Sequence, residues 1–313
     1  MNKLKIYKLI SLFVFVIFFV GVVAQNVLLV NAAPENPVAV SVGALLVNVE
    51  KVDLSASSCR LDFYLWFKYN PSEISQSEVQ QFEFINGAPT MYVVDSNEAQ
   101  GYLEYRVRGD FINSFDFSRY PFETHELEVK IEHKNLNLNN LVFVADPSSE
   151  IDPEANVAGW SLRSFQASVT EHSYGEETFS RMVFGVSLER PMISSFIKTV
   201  VPLAVITTIS LLAFFMAPQN FAQRITLGVT TLLSATAFHL SLISGIPPTG
   251  YLTFADRMMI SVYAIFLYNL ASSVYIMRLV DSKRMEEAFS AKRKVLKFLP
   301  VLIVVLVVAQ VLL

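Results

Sequence analysis

Two hydrophobic rhythms divide the chain. Between residues 38 and 188 apolar residues come in short runs, at 38–49, 60–69, 91–94, 102–111, 125–133, 141–144, 160–170 and 178–188. These runs are rich in Val, Ile, Phe and Tyr and are separated by turn-forming residues. Short strands at such spacing, with no long helical period among them, predict an antiparallel β-sandwich; a barrel fits the same pattern. Alternation is clean at Arg60-Leu61-Asp62-Phe63, and the following Tyr64-Leu65-Trp66-Phe67 reads as buried on both faces. Beyond residue 192 the apolar runs become long, at 193–216, 221–243, 254–277 and 295–313. Each reaches the about 20 residues a helix needs to cross a hydrocarbon core. The expected fold class is therefore a β + α membrane protein, a sandwich over 33–191 followed by a four-helix transmembrane bundle over 192–313.

The second long run is apolar yet studded with hydroxyls. Read as a helix, it places Thr226, Thr230, Leu233, Ala237 and Leu240 on one stripe, at steps of four and three. The stripe is hydroxylated at its first two positions and apolar at its last three. Polar groups at membrane depth face a bundle interior or a water-filled cavity, because lipid offers them no hydrogen bonds. A pore-lining helix with a hydrophobic gate has this pattern. The alternative is that the threonines bond back to their own helix carbonyls and merely pack. Thr231, Ser234, Thr236 and Ser241 lie off the stripe.

Composition agrees with a membrane protein, 53% hydrophobic and 17% charged. Lys3, Lys5 and Lys8 precede an apolar run from 9 to about 23 and the small residues Ala32 and Ala33. This predicts an export signal over 1–32, with a retained anchor as the alternative. The segment 34–191 carries 24 acidic against 11 basic residues, a surplus of 13 negative charges. Arg278, Lys283, Arg284, Lys292, Arg293, Lys294 and Lys297 lie between the third and fourth spans, while the preceding inter-span loop has only Arg257, beside Asp256. The positive-inside rule places the basic linker in the cytoplasm and the sandwich outside. Cys59 is the single cysteine, so no internal disulfide is available and it is expected as a small buried hydrophobe.

Phe115-Asp116-Phe117-Ser118-Arg119-Tyr120-Pro121-Phe122-Glu123-Thr124-His125 contains an aromatic–Pro–Phe–acid turn. With the four spans, Val157-Ala158-Gly159-Trp160-Ser161, Leu188-Glu189-Arg190-Pro191 and the run Arg224 to Leu233, it resembles the prokaryotic branch of the pentameric ligand-gated ion channels, the Cys-loop receptor superfamily. The resemblance implies a homopentamer in a prokaryotic plasma membrane, passing ions when an unknown small ligand or protons act on the outer domain. It implies that the second span lines the pore, with a ring of Leu233 as gate, Ala237 and Leu240 extending it, and Ala222 and Gln223 at the cytoplasmic mouth. It further implies a gating joint formed by Asp53, Arg119, Tyr120, Pro121, Phe122, Glu123 and Arg190 against the loop holding Pro247 and Pro248. The matching agonist hairpin, about 171–181, offers Tyr174 and Phe179 as aromatic walls. The cysteines flanking the turn in animal members correspond to Asn113 and Leu127, so packing of Tyr120 and Phe122 is expected to hold it. Arg224 resembles anion channels and is expected to point away from the axis, toward the headgroups, while the acidic outer domain raises local cation concentration; cation and anion selectivity both stay open. The linker of about 277–294 leaves no room for the large intracellular domain of animal members.

Other chemistry is thin. Asp146, Glu150, Asp152 and Glu154 form an acidic loop with oxygen ligands suited to calcium, or simply a solvated loop. His125, His133, His172 and His239 can titrate near neutrality. No phosphate loop, metal cluster or catalytic triad is present, so neither an enzyme nor a cofactor is expected, and the outer domain has no basic patch for nucleic acid. Membrane lipids are the remaining expected partner. The rival reading is a non-conducting binding receptor of the same architecture.

Overall fold

The computed structural model describes residues 37–312, with side chains to residue 310; the expected export signal at 1–32 lies outside the described residues. Ten strands form two sheets: β1 (Val38–Asp53), β2 (Ser58–Lys68), β3 (Phe82–Phe84), β4 (Thr90–Asn97), β5 (Tyr102–Ile112), β6 (Thr124–His133), β7 (Leu141–Ala145), β8 (Glu150–Ile151), β9 (Ser161–Tyr174) and β10 (Glu177–Glu189). One sheet has the order β4-β5-β2-β1-β7 with β8 also on β1, and the other β3-β6-β10-β9. The sandwich is mixed rather than purely antiparallel, because β7 and β8 pair with β1 in parallel.

Alternate residues of both sheets meet in one core. Leu61, Phe63, Leu65 and Phe67 of β2 face Leu127, Val129 and Ile131 of β6 and Met182, Phe184, Val186 and Leu188 of β10, all buried in one cluster. Trp66 is also buried, on the opposite face of β2. Its cross-strand partner is Gly43, where an added Cβ would sit 2.3 Å from the indole, and its Nε1 donates to Asp146 Oδ2 at 2.9 Å. That accounts for the two-sided burial of this strand.

The same contact removes the calcium reading of the acidic loop. Asp146 is 4% exposed and is held by Lys68 at 2.6 Å and by the Ser148 hydroxyl and amide. Burial opposes its charge, but the bonds from Lys68, Ser148 and Trp66 outweigh it and hold the carboxyl well below the usual range. Glu150 lies in β8, and Asp152 accepts from the Glu154 amide at 2.8 Å. Among the described residues no cluster of His, Cys, Asp and Glu is arranged to hold a metal.

Four long helices follow: α1 (Met192–Leu211, continued by a 3-10 turn Leu212–Phe215), α2 (Phe221–Ile243), α3 (Phe254–Asp281) and α4 (Met285–Leu312). Among the described residues, Met192–Phe215, Phe221–Ile243 and Phe254–Asp281 are long and apolar enough to cross a membrane. Thr253 caps α3 in a reciprocal box with Asp256. The linker expected at about 277–294 is mostly helical, and only residues 282–284 separate α3 from α4. Its charged side chains are largely exposed: Arg284, in the short gap, pairs with Glu287, while Ala288 and Ala291 pack against Ile276 and Leu279.

Candidate functional site

The turn between β5 and β6 sits on the loop joining α2 to α3. The Tyr120 hydroxyl donates to the Leu242 carbonyl, in the last turn of α2, at 2.9 Å. The Phe254 and Ala255 amides, at the start of α3, donate to the carbonyls of Ser118 (2.9 Å) and Tyr120 (3.0 Å). The Phe117 amide donates to the Tyr251 hydroxyl at 2.9 Å, which in turn donates to Asp116 at 3.2 Å. Phe122 meets Phe254 edge to face at 5.8 Å. Pro121 is buried behind them, while Arg119 is exposed and its side chain has no ion-pair partner among the described residues. Pro247 is half-buried and Pro248 exposed, beside Ile246, which with Ala255 belongs to the sandwich core cluster.

Glu123 follows this turn and Arg190 ends the sandwich directly before Pro191 and α1. They form an ion pair in which the Glu123 side chain is 1% exposed and the Arg190 side chain 26%. The guanidinium lies over the rings of Trp160 (4.5 Å) and Tyr120 (5.6 Å). Burial pushes the Glu123 carboxyl up; His125 and the Arg190 charge pull it down, and the balance lies below the ordinary value. Asp53 does not join them. It bonds Lys51 at 2.6 Å and accepts from the Ala56 amide at 3.0 Å, which closes its own β1–β2 turn. Proximity in the chain decides this, since Lys51 lies on the same face of β1 two residues away.

Helix α2 has two faces. Arg224, Gly228, Thr231 and Ala235 are buried against the chain's own bundle, whereas Ala222, Gln223, Thr226, Thr230, Leu233, Ala237 and Leu240 are exposed. Leu233 is 66% and Leu240 62% exposed, an uncovered apolar surface in the single chain. Thr231, Ser234 and Thr236, off the stripe, donate back to their own helix carbonyls at 2.8, 3.0 and 2.9 Å. The hydroxyls of Thr226 and Thr230 form no such bond. Arg224 does not point toward headgroups: it is 1% exposed, on the face away from the stripe, and its guanidinium nitrogens have no partner among the described residues. His239 ties α2 to α3 through Tyr263 and Asp256, each at 3.1 Å.

Comparison with known proteins finds relatives that are ion channels. Residues 199–306 match the family model described as neurotransmitter-gated ion-channel transmembrane region. A proton-gated ion channel of Gloeobacter violaceus is 22% identical over 256 residues, covering 74% of this chain and 71% of the relative. The helical part of the chain is thus similar to the neurotransmitter-gated ion channels, and most of the chain to a proton-gated one. More distant relatives in this superfamily include a γ-aminobutyric acid receptor subunit pi of Bos taurus, 23% identical over 44% of this chain, and a neuronal acetylcholine receptor subunit alpha-9-II of Oncorhynchus mykiss, 21% identical over 52%. The matches span only 32% and 30% of those two animal relatives. The family consists of channels, not enzymes.

Asn113, in one of the two positions matched to the flanking cysteines, is 6% exposed. Its Oδ1 accepts from the Glu128 amide at 2.7 Å, one residue beyond Leu127 at the other position. Its Nδ2 donates toward Cys59 Sγ at 3.3 Å. A side-chain hydrogen bond thus joins the two ends of the turn, so packing of Tyr120 and Phe122 is not its only support. The expected aromatic walls lie on the β9–β10 hairpin, with Tyr174 and Phe179 rings 6.0 Å apart and His172 4.6 Å from Tyr174. Arg181, paired with Glu132, donates to the Tyr174 hydroxyl at 3.1 Å. Sequence reasoning passed over Tyr251 and gave Trp160 and His125 no contact at the joint, because these depend on segments far apart in the chain.

Proposed function

We propose that five copies of this chain assemble around α2 to form a homomeric ion channel in a prokaryotic plasma membrane, with the sandwich outside. The observation that carries this reading is the asymmetry of α2. Three of the four hydroxyls off the stripe, Thr231, Ser234 and Thr236, are satisfied by their own helix, whereas among the described residues Thr226 and Thr230 have no such bond on a face that leaves Leu233 and Leu240 uncovered. Lipid serves apolar leucines but leaves free hydroxyls unbonded; a wet axial pore serves both. Leu233, extended by Ala237 and Leu240, forms the gate, because a dry apolar constriction blocks an ion by its desolvation cost. Thr226 and Thr230 face the ion on the cytoplasmic side, and Ala222 and Gln223 form an uncharged mouth. Opening follows movement of the Tyr120 turn and the Arg190–Glu123 pair against the loop bearing Pro247 and Pro248. The stimulus is a ligand under the β9–β10 hairpin, beside Tyr174 and Phe179, or protons, as the name of the Gloeobacter relative supports.

The test is current across a bilayer holding the purified full-length protein, with pH and small amines varied in asymmetric salt. Leu233→Ser is expected to give current without stimulus, since it places a hydroxyl in the constriction. No current from either protein under any condition favours the non-conducting receptor.

A further inference from the structure

His125 is buried beside the Glu123–Arg190 pair in a setting that the packing of the turn leaves unexplained. Its side chain is 1% exposed, and three aromatic rings enclose it: Phe115 at 4.8 Å, Phe117 at 5.5 Å and Trp160 at 5.4 Å. Among the described residues its Nε2 has no hydrogen-bond partner, nor has Glu123 Oε2, and Nε2 stands 3.8 Å from Glu123 Oε1. Two orphaned buried polar groups at such close range are costly as they stand. We infer that His125 is a proton-binding site that controls how tightly Glu123 holds Arg190. The inference concerns regulation of the joint and rests on the reading of that joint as the coupling element.

Protonation with a proton from water makes both ring nitrogens donors. Nε2–H then faces the carboxylate that pairs with Arg190. The charges around the imidazole work in both directions. Glu123 and Asp116 of the turn favour its protonation, and Arg190 at the end of β10 opposes it. Leu188, its partner across the sheet on β10, carries no charge. The protonated ring competes with Arg190 for Glu123. Arg190 immediately precedes Pro191 and α1, so loosening this pair is felt at the first membrane helix.

The readout is built in, because Trp160 touches the imidazole and a protonated imidazole quenches a neighbouring indole. The only other tryptophan, Trp66, bonds Asp146, whose carboxyl is held well below the usual range and stays charged through neutral pH. Tryptophan fluorescence of the detergent-solubilised full-length protein is titrated from pH 8 to 5, the interval in which histidine ordinarily changes charge. A sigmoidal fall is expected. It is expected to vanish in His125→Phe and, should that variant fail size-exclusion as a folded oligomer, in His125→Gln. In Glu123→Gln the step is expected at lower pH. A flat titration of the natural protein overturns the inference without any variant, and so does a step that persists without His125. A fluorescence step with no current at any pH leaves the proton site standing and removes the channel reading. Current with a flat titration does the reverse.

Discussion

Separating Arg190 from its partner tests the joint most directly. Glu123 is 1% exposed, and its Oε2 lacks a donor even with the pair intact. Arg190→Gln therefore strands a buried carboxylate, a change that costs ~3–5 kcal/mol when a buried pair loses one member. The Arg190 side chain is 26% exposed, so water reaches part of the pair and the expected loss lies at the lower end. At about 2–4 °C per kcal/mol for a domain of this size, a loss of about 3 kcal/mol lowers the thermal midpoint by about 6–12 °C. Glu123→Gln combined with Arg190→Gln leaves no charge buried and is expected to recover most of that loss. The pH dependence has a definite sign. Glu123 is held below its unfolded value, so its contribution is complete above about pH 4.3 and is lost as pH falls through the lower, folded value. In Arg190→Gln His125 still opposes burial but the guanidinium no longer does, so the stranded carboxyl neutralises in milder acid than in the natural protein and the gap between the two closes on acidification. The assay is thermal unfolding of the full-length protein in detergent, followed by tryptophan fluorescence at pH 7 and at pH 4. Additive losses in the double variant, or a gap that stays constant in acid, refute the reasoning.

Two further outcomes follow from the closure of the turn and the core. Asn113→Leu removes the acceptor for the Glu128 amide and is expected to cost about 1–3 kcal/mol as an unmet buried hydrogen bond; an unchanged thermal midpoint shows that Tyr120 and Phe122 close the turn alone. Burial pushes the Cys59 thiol up to about 12, despite the bond from Asn113, so the folded protein is expected to ignore a thiol reagent at pH 8 and to react once when unfolded. Fast labelling before unfolding contradicts that burial.

The sandwich was legible wherever a strand carried its own alternation. The runs at 102–111 and 125–133 lie within β5 and β6, because each buries every second residue on a shared core. β3, with three residues, and β8, with two, are too short to carry a period. The parallel pairing of β1 with β7 has no local signal at all, since it depends on which edge the chain returns to. Helix boundaries between α3 and α4 were hidden for a different reason: exposed lysines and arginines interrupt an apolar run without interrupting a helix. The α2 stripe was readable because the helical period sorts side chains by angle, and Arg224 falls on the opposite face for the same reason. What lay against that face was not readable, and so its burial was not. Asp53 shows the limit of assignment by position, because a lysine two residues away takes the carboxylate before any distant arginine can.

The joint also shows how the sandwich is bonded to the helices. A helix start leaves four amides without intrahelical acceptors. In α3, the amides of Phe254 and Ala255 are satisfied by carbonyls of the Tyr120 turn, and the amide of Asp256 by the Thr253 hydroxyl. The turn of the sandwich is therefore part of the cap of a membrane helix. The Tyr120 hydroxyl holds the other side of the same loop at Leu242, and Ile246 and Ala255 complete the sandwich core from below. Withdrawing the turn would leave two amides unmet and open an apolar seam at once. The turn is thereby bonded to both the end of α2 and the start of α3, the contacts that the proposed coupling requires.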